Sequence, residues 1–244
     1  MSNLTVEICT NFKEAIIIIN SSNLYSSICD AVNLIRIYNN YFEMENVYII
    51  CNNIGSKNLI ENKMKDYIGK LNGKVHVNNT DNLLNELSKV IKSVNNNFIL
   101  SLSSHGYANG DKNYINWNGA TIIDQQLHDT LSIVMNGNLQ CLALIDTCQS
   151  GTMLNLNYQT KDLVEYKPEN LSNSILNIIC IGAVDDNEYD QDDISDYGYG
   201  GGLSSSFIDF ISEEIGRTIS QFFIYYKNRI LTVGHHPILS INVK

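Results

Sequence analysis

Short runs of β-branched and apolar residues alternate along this chain with longer amphipathic ones, and that alternation restricts the fold more than any other feature. "AIIIIN" (15–20), "VYIIC" (47–51), "KVHV" (74–77), "FILSLSS" (98–104), "QCLALID" (140–146) and "SILNIICIGAV" (174–184) have the length and content of strands. Between them, "ICDAVNLIRIYNNYF" (28–42), "NLIENKMKDYIGKL" (58–71), "LLNELSKVIKSV" (83–94) and "DQQLHDTLSIVM" (124–135) have helical spacing. Near-continuous apolar strands joined by helices are the mark of βαβ units, in which helices cover both faces of a parallel sheet. The expected fold is therefore α/β, with a central, mostly parallel six-stranded sheet flanked by helices.

The polar stretch "GYANGDKNYINWNGA" (106–120) reads as a loop or hairpin. Residues 152–174 turn polar and read as an exposed linker between a larger region, 1–151, and a smaller one, 175–244, of one domain. After an acidic, glycine-rich segment (185–202) come two helical patterns and a closing strand, "PILSINVK".

Composition narrows the partners. A formal net charge of −10 repels a phosphate backbone and favours a cationic substrate, so no nucleic acid is expected. The six cysteines form no C-x-x-C pair and have no zinc-type spacing; they read as reduced thiols in a cytosol-like compartment. The apolar run near the N-terminus is too short for a secretory core or a membrane span, so a soluble, cytoplasmic protein without a membrane partner is expected.

Ligands of open α/β sheets gather at the carboxyl ends of the strands, and two such ends carry reactive side chains. "FILSLSSHG" delivers His105, and "LALIDTCQSG" delivers Cys148. A cysteine attacks as its thiolate, which an imidazole on a neighbouring strand end helps to form. A lone cysteine after an apolar run is most often a small core residue. Cys9, Cys29, Cys51, Cys141 and Cys180 keep that reading, whereas Cys148 has glycine close by at 151 and Gly106 follows the histidine. The backbone N–H groups of Gly106 and Cys148 are the expected oxyanion hole. His76, His128 and the His235–His236 pair read as structural or surface residues.

At these residues the sequence resembles the caspase-like clan of cysteine peptidases, and within it the metacaspases. The family pattern of serine, any residue, His-Gly is met by Ser103, His105 and Gly106, with Ser104 where glycine is usual. Asp-x-Cys-x-Ser-Gly is met in full by Asp146, Cys148, Ser150 and Gly151. "SSICDA" keeps Asp30 and Ala31 of a family segment but has Ser27 and Cys29 at its Cys and Asn positions. "IICIGAVDDN" keeps Gly182 and Asp185, with Ala183 and Asn187 replacing a cysteine and a glutamine. "GGLSSSFIDFI" and "GHHPILS" are similar to the family's final helical region and its terminal Pro-x-Leu-Ser.

The resemblance implies a caspase-like three-layer sandwich, a monomer, and cleavage of peptide bonds after Arg or Lys. The basic side chain would enter an acidic pocket formed by Asp30 and Asp146, with Ser103 orienting it. Carboxylates suit a guanidinium or ammonium. The chain's arginines, Arg36, Arg217 and Arg229, lie away from the motifs, which speaks against a pocket for aspartate. The family's calcium cluster maps to Asp124, Gln125 and Asn155, where two of three positions have lost the carboxylate, so weak or absent calcium dependence is expected and no cofactor is required. Self-cleavage in such proteins falls at basic residues of exposed loops, here Lys161 and Lys167. Two alternatives stay open: legumain-like cleavage after asparagine, suggested by "CQSGTM", and a catalytically weak regulator or decoy, suggested by the departures at Ser104, Gln125, Asn155 and Ala183.

Overall fold

The computed structural model describes residues 4–22, 24–109, 112–135, 139–156, 158–161, 176–185, 188, 192–195 and 198–243. A short helix α1 (Ile8–Asn11) precedes β1 (Glu14–Ile19), α2 (Tyr25–Tyr41), β2 (Asn46–Cys51), α3 (Ile54–Met64), β3 (Val75–Asn79), α4 (Leu83–Ser93) and β4 (Phe98–Ser103). Three further strands, β5 (Gly106–Asn109), β6 (Lys112–Trp117) and β7 (Ala120–Ile123), lead into α5 (Asp124–Met135) and β8 (Cys141–Asp146). The chain continues through β9 (Tyr158–Thr160), β10 (Leu176–Gly182), β11 (Asp192–Ser195), β12 (Gly198–Gly201), α6 (Gly202–Ser212), α7 (Ile219–Leu231) and β13 (Ile238–Val243).

The main sheet has the order β3-β2-β1-β4-β8-β10-β13-β9. The six runs read as strands form an unbroken parallel block from β3 to β10. The sheet does not stop at six: β13 pairs antiparallel to β10, and β9 pairs antiparallel to β13, giving a mixed sheet of eight strands among the described residues. β9 comes from inside the segment expected to be an exposed linker. Its three residues hold their place through backbone pairing to the β13 edge, which demands no hydrophobic pattern in the sequence. Residues 162–175 lie outside the described residues.

The isoleucines of β1 explain the layering. Ile17 and Ile19 pack on one face with Leu34 and Tyr38 of α2, Phe207 and Phe210 of α6, and Phe222 and Tyr226 of α7. Ile16 and Ile18 face the other way, against Leu87 and Ile91 of α4, Leu127 and Leu131 of α5, and Trp117 of β6. Successive strand residues point to opposite faces, so a run of isoleucines is buried only when both faces are covered. The protein is thus α/β with a central mixed sheet between two helical layers.

In the 106–120 stretch and just beyond it, β5, β6 and β7 form a three-stranded antiparallel sheet. Trp117 pairs with Ala120 across Asn118 (φ 50°) and Gly119 (φ 85°), two residues whose positive φ suits the tight turn between twisted strands. Helix α3 starts four residues before its apolar run, because Asn53 caps it by accepting from the Ser56 N–H at 2.9 Å. The helix ends at Met64 and a separate 3-10 turn covers Gly69–Leu71. Among the described residues, no helix is long and apolar enough to cross a membrane.

Candidate active site

β4 and β8 are adjacent parallel strands, with Ser103 opposite Asp146. His105 lies two residues beyond Ser103 and Cys148 two beyond Asp146, so one register brings both to the same end of the sheet. The crossing is close. A Cβ on Gly106 would overlap the carbonyl oxygen of Cys148 and come within 2.8 Å of Thr147 Oγ1, so the strand leaving His105 passes the thiol's own peptide only because residue 106 has no side chain. His105 and Cys148 are both half-buried, accessible yet held by the fold.

The turn after Cys148 is fastened residue by residue. Gln149 has φ 53°, a left-handed conformation that costs a non-glycine residue about 1 kcal/mol, and its N–H donates to the Glu188 carbonyl at 3.0 Å. Ser150 Oγ accepts from the Val184 N–H at 3.1 Å and donates to the Val184 carbonyl at 3.2 Å, which ties the turn to the end of β10. A Cβ on Gly182 would lie 2.7 Å from the Ser150 carbonyl oxygen, which accounts for the glycine there. Ser240 Oγ donates to the Gly151 carbonyl at 3.3 Å, Asn113 Nδ2 to Thr152 Oγ1 at 2.6 Å, and His128 Nδ1 to the Leu154 carbonyl at 3.0 Å. His128 is therefore a structural donor, as its helical position suggests.

Asp30, Ser103 and Asp146 meet at the N-terminus of α6. Ser103 Oγ donates to Asp30 Oδ2 at 2.6 Å, the Gly201 N–H to Asp30 Oδ1 at 2.9 Å, and the Ser204 N–H to Asp146 Oδ2 at 2.6 Å. Helix α6 has no side-chain cap of its own, so two carboxylates from other elements satisfy its first N–H groups and complement its dipole. Asp30, Asp146 and Ser103 are only 1%, 4% and 5% exposed. Glycines at 200 and 201 leave room for them, since a Cβ on either would come within 2.5 Å of a carboxylate oxygen. Asp146 Oδ1 is buried and, among the described residues, accepts no hydrogen bond. A buried carboxylate oxygen without a donor is costly unless a ligand supplies one.

Four of the other cysteines are held protonated by burial. Burial pushes the Cys51 thiol up to about 12 and the Cys9 thiol up to about 11, and it raises those of Cys141 and Cys180 as well, so these groups stay protonated at neutral pH. Cys29 is half-buried, and none of the six cysteines is in a disulfide. His76 stacks on Tyr48 at 5.1 Å between ring centroids, a surface contact.

The residues at the expected calcium positions do not fit the ion. Asp124 spends Oδ2 on the Asn113 N–H at 3.3 Å and Oδ1 on the Gln125 N–H at 2.6 Å. Gln125 Oε1 accepts from Asn155 Nδ2 at 2.8 Å, so a direct amide bridge occupies the oxygen that a cation would need. One carboxylate and two mutually bonded amides are a poor donor set for a hard cation. Among the described residues, no group of three or more His, Cys, Asp or Glu side chains is placed to hold a metal. Lys161 follows the edge strand β9 and pairs with Asp185, whereas Lys167 and Asn187 lie outside the described residues. The Tyr226 hydroxyl donates to the Ala183 carbonyl at 3.0 Å.

Sequence reasoning missed Glu188. Its carboxylate accepts from the His236 N–H at 2.8 Å and meets His236 Nδ1 at 2.7 Å, with His235 Nδ1 at 3.8 Å. Burial alone would raise this carboxyl, but the hydrogen bonds from His236 and the Asp185 N–H outweigh it and hold the group below the usual carboxylate value. Nothing local marks Glu188 as different from its acidic neighbours, because its partners Gln149 and His236 lie 39 and 48 residues away. No protein-family model matches the chain, and no curated protein does.

Proposed function

We infer that the chain is a cysteine endopeptidase of metacaspase type, built on a caspase-like sandwich, that cleaves after Arg or Lys. The observation that carries this reading is the register of β4 against β8, which brings His105 and Cys148 to one end of two adjacent strands. His105 takes the proton from Cys148 Sγ, and the thiolate attacks the scissile carbonyl carbon. The N–H groups of Gly106 and Cys148 stabilise the resulting oxyanion. His105 then returns the proton to the leaving amine as the C–N bond breaks, giving a thioester. Water, deprotonated by His105, hydrolyses that thioester, releases the acid and restores the thiol.

Asp146 Oδ1, which has no donor among the described residues, supports the choice of substrate. A guanidinium or ammonium entering beside Asp30 and Asp146 supplies the missing donor and neutralises charge in a buried site. The contacts of both carboxylates with α6 favour a second reading, in which the pair only caps that helix and the protein acts by binding.

Matched peptides ending in Arg, Lys, Asn or Asp, incubated with the parent and with Cys148→Ala, decide between these readings. Cleavage after Arg and Lys that falls about a thousandfold or more in Cys148→Ala is expected. Cleavage after Asn would place the chain with the legumain-like branch, and no Cys148-dependent cleavage would leave the binding role.

A further inference from the structure

We propose that Glu188 is a positioning residue for Cys148, locked in turn by the His235–His236 turn. This rests on the reading of Cys148 as the nucleophile. The two ends of Glu188 face two different parts of the chain. Its main-chain carbonyl accepts the Gln149 N–H, directly after the thiol and at a residue with a left-handed backbone. Its carboxylate accepts the His236 N–H and meets the His236 ring, with the His235 ring near the other oxygen. The same carboxylate also takes the Asp185 N–H at 3.4 Å, and the Glu188 N–H donates back to the Asp185 carbonyl at 2.9 Å, closing a small ring that fixes the Glu188 peptide.

The left-handed Gln149 does not hold its conformation by propensity, so something outside the turn must fix it. Ser150 fixes the next residue through Val184, and between Cys148 and Ser150 the Glu188 carbonyl holds the Gln149 peptide by its N–H. A peptide rotated there moves the thiol relative to His105, and small displacements of reacting groups have large effects on rate. The turn that connects α7 to β13 thus bears on the nucleophile through one acidic side chain, although the hydrogen bonds of His236 go to Glu188 and not to Cys148 or His105.

The test uses the full chain with Glu188→Ala, His236→Ala and His236→Gln. Three quantities are read: kcat and KM on a peptide ending in Arg, the rate of iodoacetamide alkylation of Cys148 relative to Cys29, and Tm. Glu188→Ala and His236→Ala should lower kcat by about tenfold or more with KM within about twofold, and should slow Cys148 alkylation in step. His236→Gln retains a side-chain donor for the carboxylate and should recover most of the loss. Unchanged kcat and alkylation in an active parent would overturn the positioning role alone. A fall that follows the unfolded fraction, with no recovery in His236→Gln, would overturn it too. A parent whose Cys148 neither cleaves nor labels faster than Cys29 would remove the nucleophile reading and the positioning role with it.

Discussion

Two buried carboxylates sit at opposite ends of the same sheet, and they are treated differently. Glu14 opens β1 at the amino end and is fully buried. Its Oε1 accepts from Asn46 Nδ2 at 3.0 Å, and its Oε2 accepts the N–H groups of Asn95 and Asn96 at 2.8 and 2.9 Å. Asp146 closes β8 at the carboxyl end, nearly as buried, with one oxygen satisfied by Ser204 and the other without a donor among the described residues. A carboxylate saturated by its own fold is a joint between loops. One left short of a donor, two residues before a half-buried thiol, is where the proposed function puts the substrate's cation. The α/β arrangement assigns those tasks to opposite ends, because at the carboxyl ends the strands release the chain into loops that can converge.

The sharpest way to break this comparison is to neutralise each carboxylate without changing its shape. Asp146→Asn should lower kcat/KM for a peptide ending in Arg by about a hundredfold, since the incoming cation loses its charged partner. Its Tm should move by only a few degrees, because the amide oxygen still accepts from Ser204. Glu14→Gln should do the reverse: a loss of about 2 kcal/mol of stability, roughly 4–8 °C in Tm, with kcat/KM per folded molecule unchanged. Equal effects of both variants on kcat/KM would erase the distinction between the two ends.

Alkaline titration probes the protonated core thiols against the site. Burial raises the thiols of Cys9 and Cys51 to about 11 and 12 from an ordinary value near 9. The folded chain therefore holds those protons over a range where the unfolded chain has released them. Their contribution to stability is complete below pH 9, declines above it, and is lost as the pH passes through 11 to 12. Urea midpoints should be flat with respect to these groups below pH 9 and fall progressively above it; a midpoint that rises through that window would contradict the burial of these groups. The smallest expected effect is that of chelation. With Asp124 committed to two N–H groups and Gln125 bonded to Asn155, EDTA should leave peptide cleavage within about twofold. Full loss of activity restored by calcium alone would show that these amides rearrange around the ion.

The legible parts of this chain are those in which a local pattern has a single physical solution. The isoleucines of β1 require cover on both faces, and the six apolar runs do form one parallel block. "WNGA" carried a readable turn signal, Asn-Gly between strand-forming residues, although the polar content around it suggested no more than a loop or hairpin. β9 left no such trace. "YQT" is three residues of no particular pattern, held by an edge that exists only once β13 has returned across the sheet.

The site divides in the same way. The sequence by itself determined the chemistry at two strand ends, a histidine followed by glycine and a cysteine within Asp-x-Cys-x-Ser-Gly, because those residues must follow one another along the chain to leave a strand and turn. Only the tertiary structure decided that Ser103 and Asp146 lie opposite one another, that Asp30 and Asp146 share the start of α6, that Gln125 and Asn155 bond to each other, and that Glu188 links His236 to the turn after Cys148. Each of those juxtapositions joins residues 30 to 116 positions apart. Side-chain identity restricts which partners are chemically suitable; the packing of the sheet and its helices selects which of them meet.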